Sequence, residues 1–306
     1  MAINFKLFHL PPVHCHDFGR VASASNYSQS MTASYSSIPT KKLLWLTDIH
    51  LDKTSSKEKY RFLEELRSSS YDAVLITGDI SVAADLTNHL TEISEACGNR
   101  PVIFTTGNHD YYGSSFEEVN QSLAQLCAKQ SNLIALGNGE IIKLSKSTAL
   151  VGHPGWYDGH AGSGSQSRVE SPDHHLIHDF RDLDRKSFFQ KLNLLGEESA
   201  DYFRKVLPQA LSQYSCVLVA THVPPFSQGL RYDGKGCVWN RQPFFSNRAV
   251  GNLIWGMAKS FPHRTIQVHA GHTHSAASVT IRPNLLLHVA AARPGYPDIG
   301  QLLTIA

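Results

Sequence analysis

Cysteine is scarce in this chain and unpaired in pattern: Cys15, Cys97, Cys127, Cys216 and Cys237 form no Cys-x-x-Cys motif, and five thiols cannot all pair with one another. A disulfide framework is therefore excluded, and a reducing, cytoplasmic setting is the expectation. Net charge is scarce as well. Lys+Arg 28 against Asp+Glu 26 leaves a formal +2, so attraction to a phosphate backbone would need a local patch, and no basic stripe is evident. No apolar run approaches the ~18 residues a transmembrane helix needs, so no membrane partner is expected. The start, Met1 to Pro12, lacks an adequate apolar core before its prolines, and no secretion signal is expected from it. No internal repeat stands out.

What the chain does have is apolar bulk and histidine. Its 306 residues are 42% hydrophobic, enough for one large α/β domain or two small ones. Seventeen His is high for this size, and several follow strand-like runs, which raises metal binding as a hypothesis. Residues 1–39 read separately, as a flexible Ser-rich N-terminal extension of low periodicity, with the ordered domain over 40–306. His14, Cys15 and His16 within it are too few ligands to make a site by themselves.

The domain opens on an apolar run, Leu43 to Thr47, that ends on Asp48-Ile49-His50. Helical spacing of Tyr60, Leu63 and Leu66 follows, then a second run, Ala73 to Thr77, ending on Gly78-Asp79. A helix over Ala84 to Ala96, closed by Gly98 and Pro101, leads to a third run that starts at Val102 and ends on Gly107-Asn108-His109-Asp110. Asp48, Asp79 and Asn108 are thus roughly 30 residues apart, one β-α-β repeat each. Right-handed crossovers between parallel neighbours place such strand ends side by side, at the crevice where α/β sheets bind ligands.

Ser115 and Glu118 are spaced as a capping box for a helix to about Lys129. Short strands are expected at Leu133–Leu136, Glu140–Leu144 and Ala149–Gly152, with Gly137-Asn138-Gly139 as a hairpin signal. The stretch 153–180 lacks periodicity and is expected to be a lid or insert over the crevice. Two helices follow, Asp182 to Leu195 and Glu197 to Gln213, then a strand, Cys216 to Ala220, ending on Thr221-His222. A helix over Asn247 to Ser260 and a strand over Thr265 to His269 lead to Gly271-His272-Thr273-His274, and three further strands close the chain. His269 falls inside its strand and reads as a core residue, and the histidines of 153–180 read as solvated.

The polar groups left at strand ends are Asp48, His50, Asp79, Asn108, His109, His222, His272 and His274. Oxygen and imidazole ligands without thiolate suit Mn, Fe, Zn, Ni or Co, and eight groups exceed what one ion needs. Two ions sharing a carboxylate and a bridging water account for them, because such a water loses a proton near neutral pH and becomes a nucleophile for phosphorus.

Asp48-Ile49-His50, Gly78-Asp79, Gly107-Asn108-His109-Asp110, His222 and Gly271-His272-Thr273-His274 together resemble the five ordered motif blocks of the calcineurin-like metallophosphoesterase family. The resemblance implies an α/β fold, a four-layer αββα sandwich of two mixed β-sheets flanked by helices. It implies two divalent or trivalent metal ions: Asp48, His50 and His274 on one, Asn108, His222 and His272 on the other, Asp79 bridging. It implies His109 near the leaving group and Asp110 either orienting it or bracing the loop. The second block continues Ile80-Ser81-Val82, without the second Asp and the Arg of Gly-Asp-x-x-Asp-Arg-Gly in the protein Ser/Thr phosphatases, which argues against a protein substrate. A small-molecule phosphomono- or phosphodiester is the expected substrate, with Arg231, Arg241, Arg248 and Arg293 as candidate phosphate contacts. The alternatives are a nuclease of the same fold and a non-catalytic scaffold.

Overall fold

The computed structural model describes residues 37–232 and 235–306. The Ser-rich segment and the His14, Cys15, His16 group lie outside the described residues. The three apolar runs become β1 (Lys42–Leu46), β2 (Ala73–Thr77) and β3 (Val102–Thr105), linked by α1 (Ser56–Ser68) and α2 (Ala83–Cys97). α3 (Phe116–Lys129) leads to β4 (Leu133–Ala135), and β1 to β4 run parallel. The last strand, β13 (Gln301–Thr304), pairs antiparallel with β1 and gives the sheet order β13-β1-β2-β3-β4.

The second sheet has the order β11-β12-β10-β7-β6-β5. β6 (Thr148–Gly152), β7 (Cys216–Ala220), β10 (Thr265–Ala270) and β12 (Leu285–Val289) run parallel; β5 (Ile142–Lys143) and β11 (Ala277–Arg282) are antiparallel edges. β8 (Arg231–Tyr232) and β9 (Lys235–Gly236) form a separate small hairpin. A four-residue α4 (Asp173–Leu176), the long α5 (Arg185–Gln213) and α6 (Arg248–Ser260) complete the elements.

Alternation along each strand builds the layers. Leu43, Trp45, Ala73, Leu75 and Ile103 of the first sheet pack with Leu150, Leu218 and Ala220 of the second. The intervening Leu44, Val74, Ile76 and Phe104 are also buried, and point to the opposite side. There α1, α2 and α3 each bury one apolar stripe, including Phe62 and Leu66, Leu90 and Ile93, and Val119 and Leu123. On the far face of the second sheet, Phe203, Leu207 and Ile254 from α5 and α6 cover Val217, Val219, Ile266 and Val268. Each such fully buried side chain contributes about 1.5–3 kcal/mol relative to exposure. The result is the four-layer αββα sandwich of two mixed sheets.

Two expectations change. The helices expected on either side of Gly196 are one 29-residue helix, α5. Gly196 does not break it, because its bare Cα is where Asp158 packs and an added Cβ would collide with the Asp158 Cβ. Gly137-Asn138-Gly139 joins no hairpin: β4 pairs only within the first sheet and β5 only within the second, so the turn crosses between sheets. Ile38 is buried in the inter-sheet core, and its N–H donates to the Lys143 carbonyl.

The 153–180 segment packs closely. Tyr157, Ile177 and Phe180 have no exposed surface, and α4 lies within it. The segment's Asp173 accepts from Asn108 at 3.0 Å, and its Tyr157 ring stacks 6.1 Å from that of His272.

Candidate metal centre

β1, β2 and β10 hand the chain at their carboxyl ends to turns with strained backbone. Among the described residues, the non-glycine positions with left-handed backbone are Asp48, His50, Asp79, His272 and His274. Such a conformation costs about 1–3 kcal/mol each and concentrates where function demands it. Two glycines allow the turns to close. A Cβ on Gly107 would collide with the Asp79 carboxylate, and one on Gly271 with Thr47 and the Asp48 carboxylate.

The strand ends bring two donor groups together: Asp48, His50, Asp79 and His274, and Asp79, His222 and His272, the ligand atoms of each lying within 4.8 Å of one another. In the first, His274 Nε2 is 3.2 Å from Asp48 Oδ1 and 3.1 Å from His50 Nε2. Thr47 Oγ1 donates to Asp48 Oδ2 at 2.7 Å, and the His272 N–H donates to the same carboxylate. In the second, His222 Nε2 is 3.1 Å from His272 Nδ1 and 3.1 Å from Asn108 Oδ1. Asp79 belongs to both: Oδ2 is 3.7 Å from His50 Nε2 and Oδ1 is 3.4 Å from His222 Nε2.

The chemistry of the second group fits a cation directly. His222 Nδ1 donates to the Thr77 carbonyl at 2.9 Å and His272 Nε2 to the Phe244 carbonyl at 2.7 Å. Each ring proton is thereby fixed on the far side, so two imidazole lone pairs face each other. Asn108 is set likewise, its Nδ2 donating to Asp173 Oδ1 at 3.0 Å and to Tyr112 at 3.2 Å, which turns its carbonyl oxygen inward.

Electrostatics agree with a cation site. Burial, reinforced by the Asp48 and Asp110 charges, pushes the Asp79 carboxyl well above the usual range. Burial also acts to raise Asp48, but the His274 hydrogen bond and the surrounding imidazoles bring it below the ordinary value. Burial pushes His50 down to about 3 and His272 down to about 4, which keeps both neutral as ligands must be.

His109 sits at the rim with its ring 4.6 Å from that of His50 and its Nε2 4.0 Å from Asp79 Oδ2. Its backbone N–H donates to Asp79 Oδ1. Asp110 points away. Its carboxylate accepts the N–H groups of Ile80, Ser81 and Gly107, tying the turn after β2 to the turn after β3, and burial pushes it up to about 7.

His269 lies in the core as expected, edge-on to Trp45, neither ring nitrogen having a hydrogen-bond partner among the described residues. Of the candidate phosphate contacts, Arg231 donates to the Gln228 and Leu230 carbonyls, whereas Arg293 stacks on Tyr296 and lines the cleft beside Asp48. Asp173, which accepts from Asn108, Tyr112 and Tyr157, has no counterpart in the sequence reading. It lies in the aperiodic segment, and its only signal is an acid two residues after Ser171.

A cleft of about 420 Å³ adjoins the centre, lined by Trp45, Thr47, Asp48, Arg61, Ala290–Ala292, Arg293 and Tyr296 among others. Among the described residues, no helix is long and apolar enough to cross a membrane.

Comparison with known proteins adds the family. No curated protein matches the sequence. Three solved structures resemble the chain: TT1561 of Thermus thermophilus (12% identity, 82% of this chain and 89% of that one, TM-score 0.47), a dimetal phosphatase from Danio rerio (11%, 83% and 88%, 0.49) and a 5'-nucleotidase from Candida albicans (11%, 83% and 48%, 0.42). The family model for calcineurin-like phosphoesterases matches residues 41–276, from β1 past the last strand-end histidine, and the chain belongs to that family.

Proposed function

We propose that this protein is a dinuclear metal-dependent hydrolase of small-molecule phosphomono- or phosphodiesters. The observation that carries the reading is the shared Asp79 carboxylate, one oxygen facing His50 and the other His222. Asp48, His50 and His274 would hold one cation, Asn108, His222 and His272 the other, and Asp79 both. When bound, two such ions supply an acidified water and positive charge for the phosphoryl oxygens. The protein's own part is to hold these donors in place and to present the His109 imidazole to the leaving-group oxygen. The adjoining cleft is of a size that takes a small ligand's substituent. The free thiols of Cys97, Cys127 and Cys216 suit a reducing, cytoplasmic setting.

Reconstitution with Mn²⁺ tests the reading. The loaded protein should contain about two ions per chain and hydrolyse an aryl phosphodiester or monoester. Asn108→Ala should lower metal content, whereas His109→Ala should keep both ions and lose about 10²–10⁴-fold in turnover. A loaded protein that turns over neither ester, with His109→Ala unchanged in every respect, would give way to the scaffold reading. Preference for a single-stranded oligonucleotide over both esters would favour the nuclease.

A further inference from the structure

The cleft beside Asp48 has a built wall, the loop between β12 and β13. The Ala290 N–H donates to the Ala270 carbonyl at 3.1 Å and the Ala292 N–H to the His274 carbonyl at 3.2 Å. Arg61 of α1 donates to the Pro297 carbonyl at 3.2 Å. Gly300 packs so closely on the Trp45 carbonyl that a Cβ there would collide with it. The wall is thereby tied to both sheets and to the turn that carries His274. Ala290, Ala291 and Ala292 line the cleft with methyl groups alone, which keeps its volume open.

Within this loop Arg293-Pro294-Gly295-Tyr296 has the pattern of a type II turn. Pro is second, Gly295 is third with φ 83°, and the Tyr296 N–H donates to the Arg293 carbonyl at 3.0 Å. Such a turn sets its first and last side chains beside each other, and the Arg293 guanidinium lies 4.1 Å from the Tyr296 ring centroid. Stacking orients the planar fork without engaging its N–H donors. Among the described residues no carboxylate pairs with Arg293. The other cation of the cleft, Arg61, is already taken, by Glu58 at 2.9 Å and by Glu65 at 3.2 Å. Asp298, which also lines the cleft, accepts the Ile299 N–H at 2.7 Å. An oriented guanidinium with unengaged donors is thus held in the same cleft as Asp48 of the first cluster.

We propose that Arg293 and Tyr296 form an anion subsite that selects phosphoesters carrying a second anionic group, a phosphate or a carboxylate, on their organic part. The proposal rests on the phosphoesterase reading above and names a substrate class for it. The clusters joined by Asp79 provide for the scissile phosphoryl group, so the anion that Arg293 meets in the cleft is a second one. A guanidinium fork grips either kind of oxyanion through two parallel N–H bonds. An uncharged substituent gains nothing from it.

The test measures binding of non-hydrolysable phosphonates to the Mn²⁺-loaded protein by calorimetry, with excess Mn²⁺ removed. Propylphosphonate carries a single anionic group. Bisphosphonates and phosphonocarboxylates on ethane, propane and butane spacers add the second group and vary its reach. At least one of them should bind about 10-fold more tightly than propylphosphonate, and whichever series binds better tells phosphate from carboxylate. Arg293→Ala should abolish that preference, Arg293→Lys should keep part of it, and Tyr296→Leu should weaken it about 2–5-fold. Both side chains are exposed, so these substitutions leave the core untouched. An equal loss on propylphosphonate in Arg293→Ala would place Arg293 on the scissile phosphoryl group and overturn the proposal. Cleavage of an aryl phosphoester by a wild type without the preference would overturn it alone and leave the hydrolase reading standing. A wild type that shows the preference, holds its metals and cleaves no ester would overturn the hydrolase reading, and this substrate class with it.

Discussion

In the cluster of Asp48, His50 and His274 the donors are aimed by the backbone, whereas in the cluster of Asn108, His222 and His272 they are aimed by bonds on their far sides. All three members of the first adopt left-handed φ, whereas in the second His272 alone does. His50 Nδ1 is buried without a partner among the described residues, and the His274 side chain is 31% exposed. In the second, both imidazoles and the Asn108 amide are clamped from behind by Thr77, Phe244 and Asp173. Far-side bonds fix tautomer and ring angle; strained backbone fixes only where the side chain starts. The second cluster should therefore be the tighter cation site, and the first the one that exchanges.

Asp79→Asn breaks the comparison outright, because it removes the carboxylate that both clusters share. Asn tolerates left-handed φ, so the turn survives and the charge alone is lost. Both ions should be depleted in elemental analysis and turnover should fall by more than about 10³-fold. Full occupancy at one cluster would show that the carboxylate serves only the other. Asp173→Ala is expected to act on one side only. Asn108, Tyr112 and Tyr157 lose their common acceptor, and affinity at the second cluster should fall about 10–100-fold while the first is unmoved. Calorimetric titration with Mn²⁺ resolves the two steps. Graded chelation of the unmutated protein reads the same asymmetry more gently: one ion should leave well before the other, and Asp173→Ala should narrow or invert that order.

The donor side chains of both clusters are legible in sequence, since each polar residue interrupts an apolar run where a parallel strand must stop. What aims them is not. Thr77 and Phe244 act through main-chain carbonyls, which leave no trace in residue type, and Asp173 reaches Asn108 from a segment without periodicity. The fold shows the same division. The Ser115 and Glu118 capping box is local, and it forms as its spacing predicts. Gly196 and Gly137-Asn138-Gly139 mislead because their meaning depends on Asp158 and on which sheet each neighbouring strand joins. Asp110 lies between: its place beside His109 is legible, but its three backbone donors come from two turns that only the folded sheet brings together.

The smallest expected effect sharpens the contrast most, because it touches a hydrogen bond that a side chain outside the cluster supplies to the first cluster. Thr47 Oγ1 lies 2.7 Å from Asp48 Oδ2 and 3.1 Å from the Thr77 carbonyl, so its single proton is shared between them. Thr47→Val keeps the shape and the strand and removes that donor. At about 0.5–1.5 kcal/mol for a hydrogen bond, ion affinity at the first cluster should weaken roughly 2–12-fold. The second cluster should not change if the two are independent. Besides the shared Asp79, they have a second route to each other through a single residue: the His272 N–H donates to both oxygens of Asp48 while the His272 ring faces His222. Equal weakening at both clusters in a Thr47→Val titration would mean that Asp79 or this N–H transmits the disturbance, and that backbone aim and far-side clamps belong to a single network.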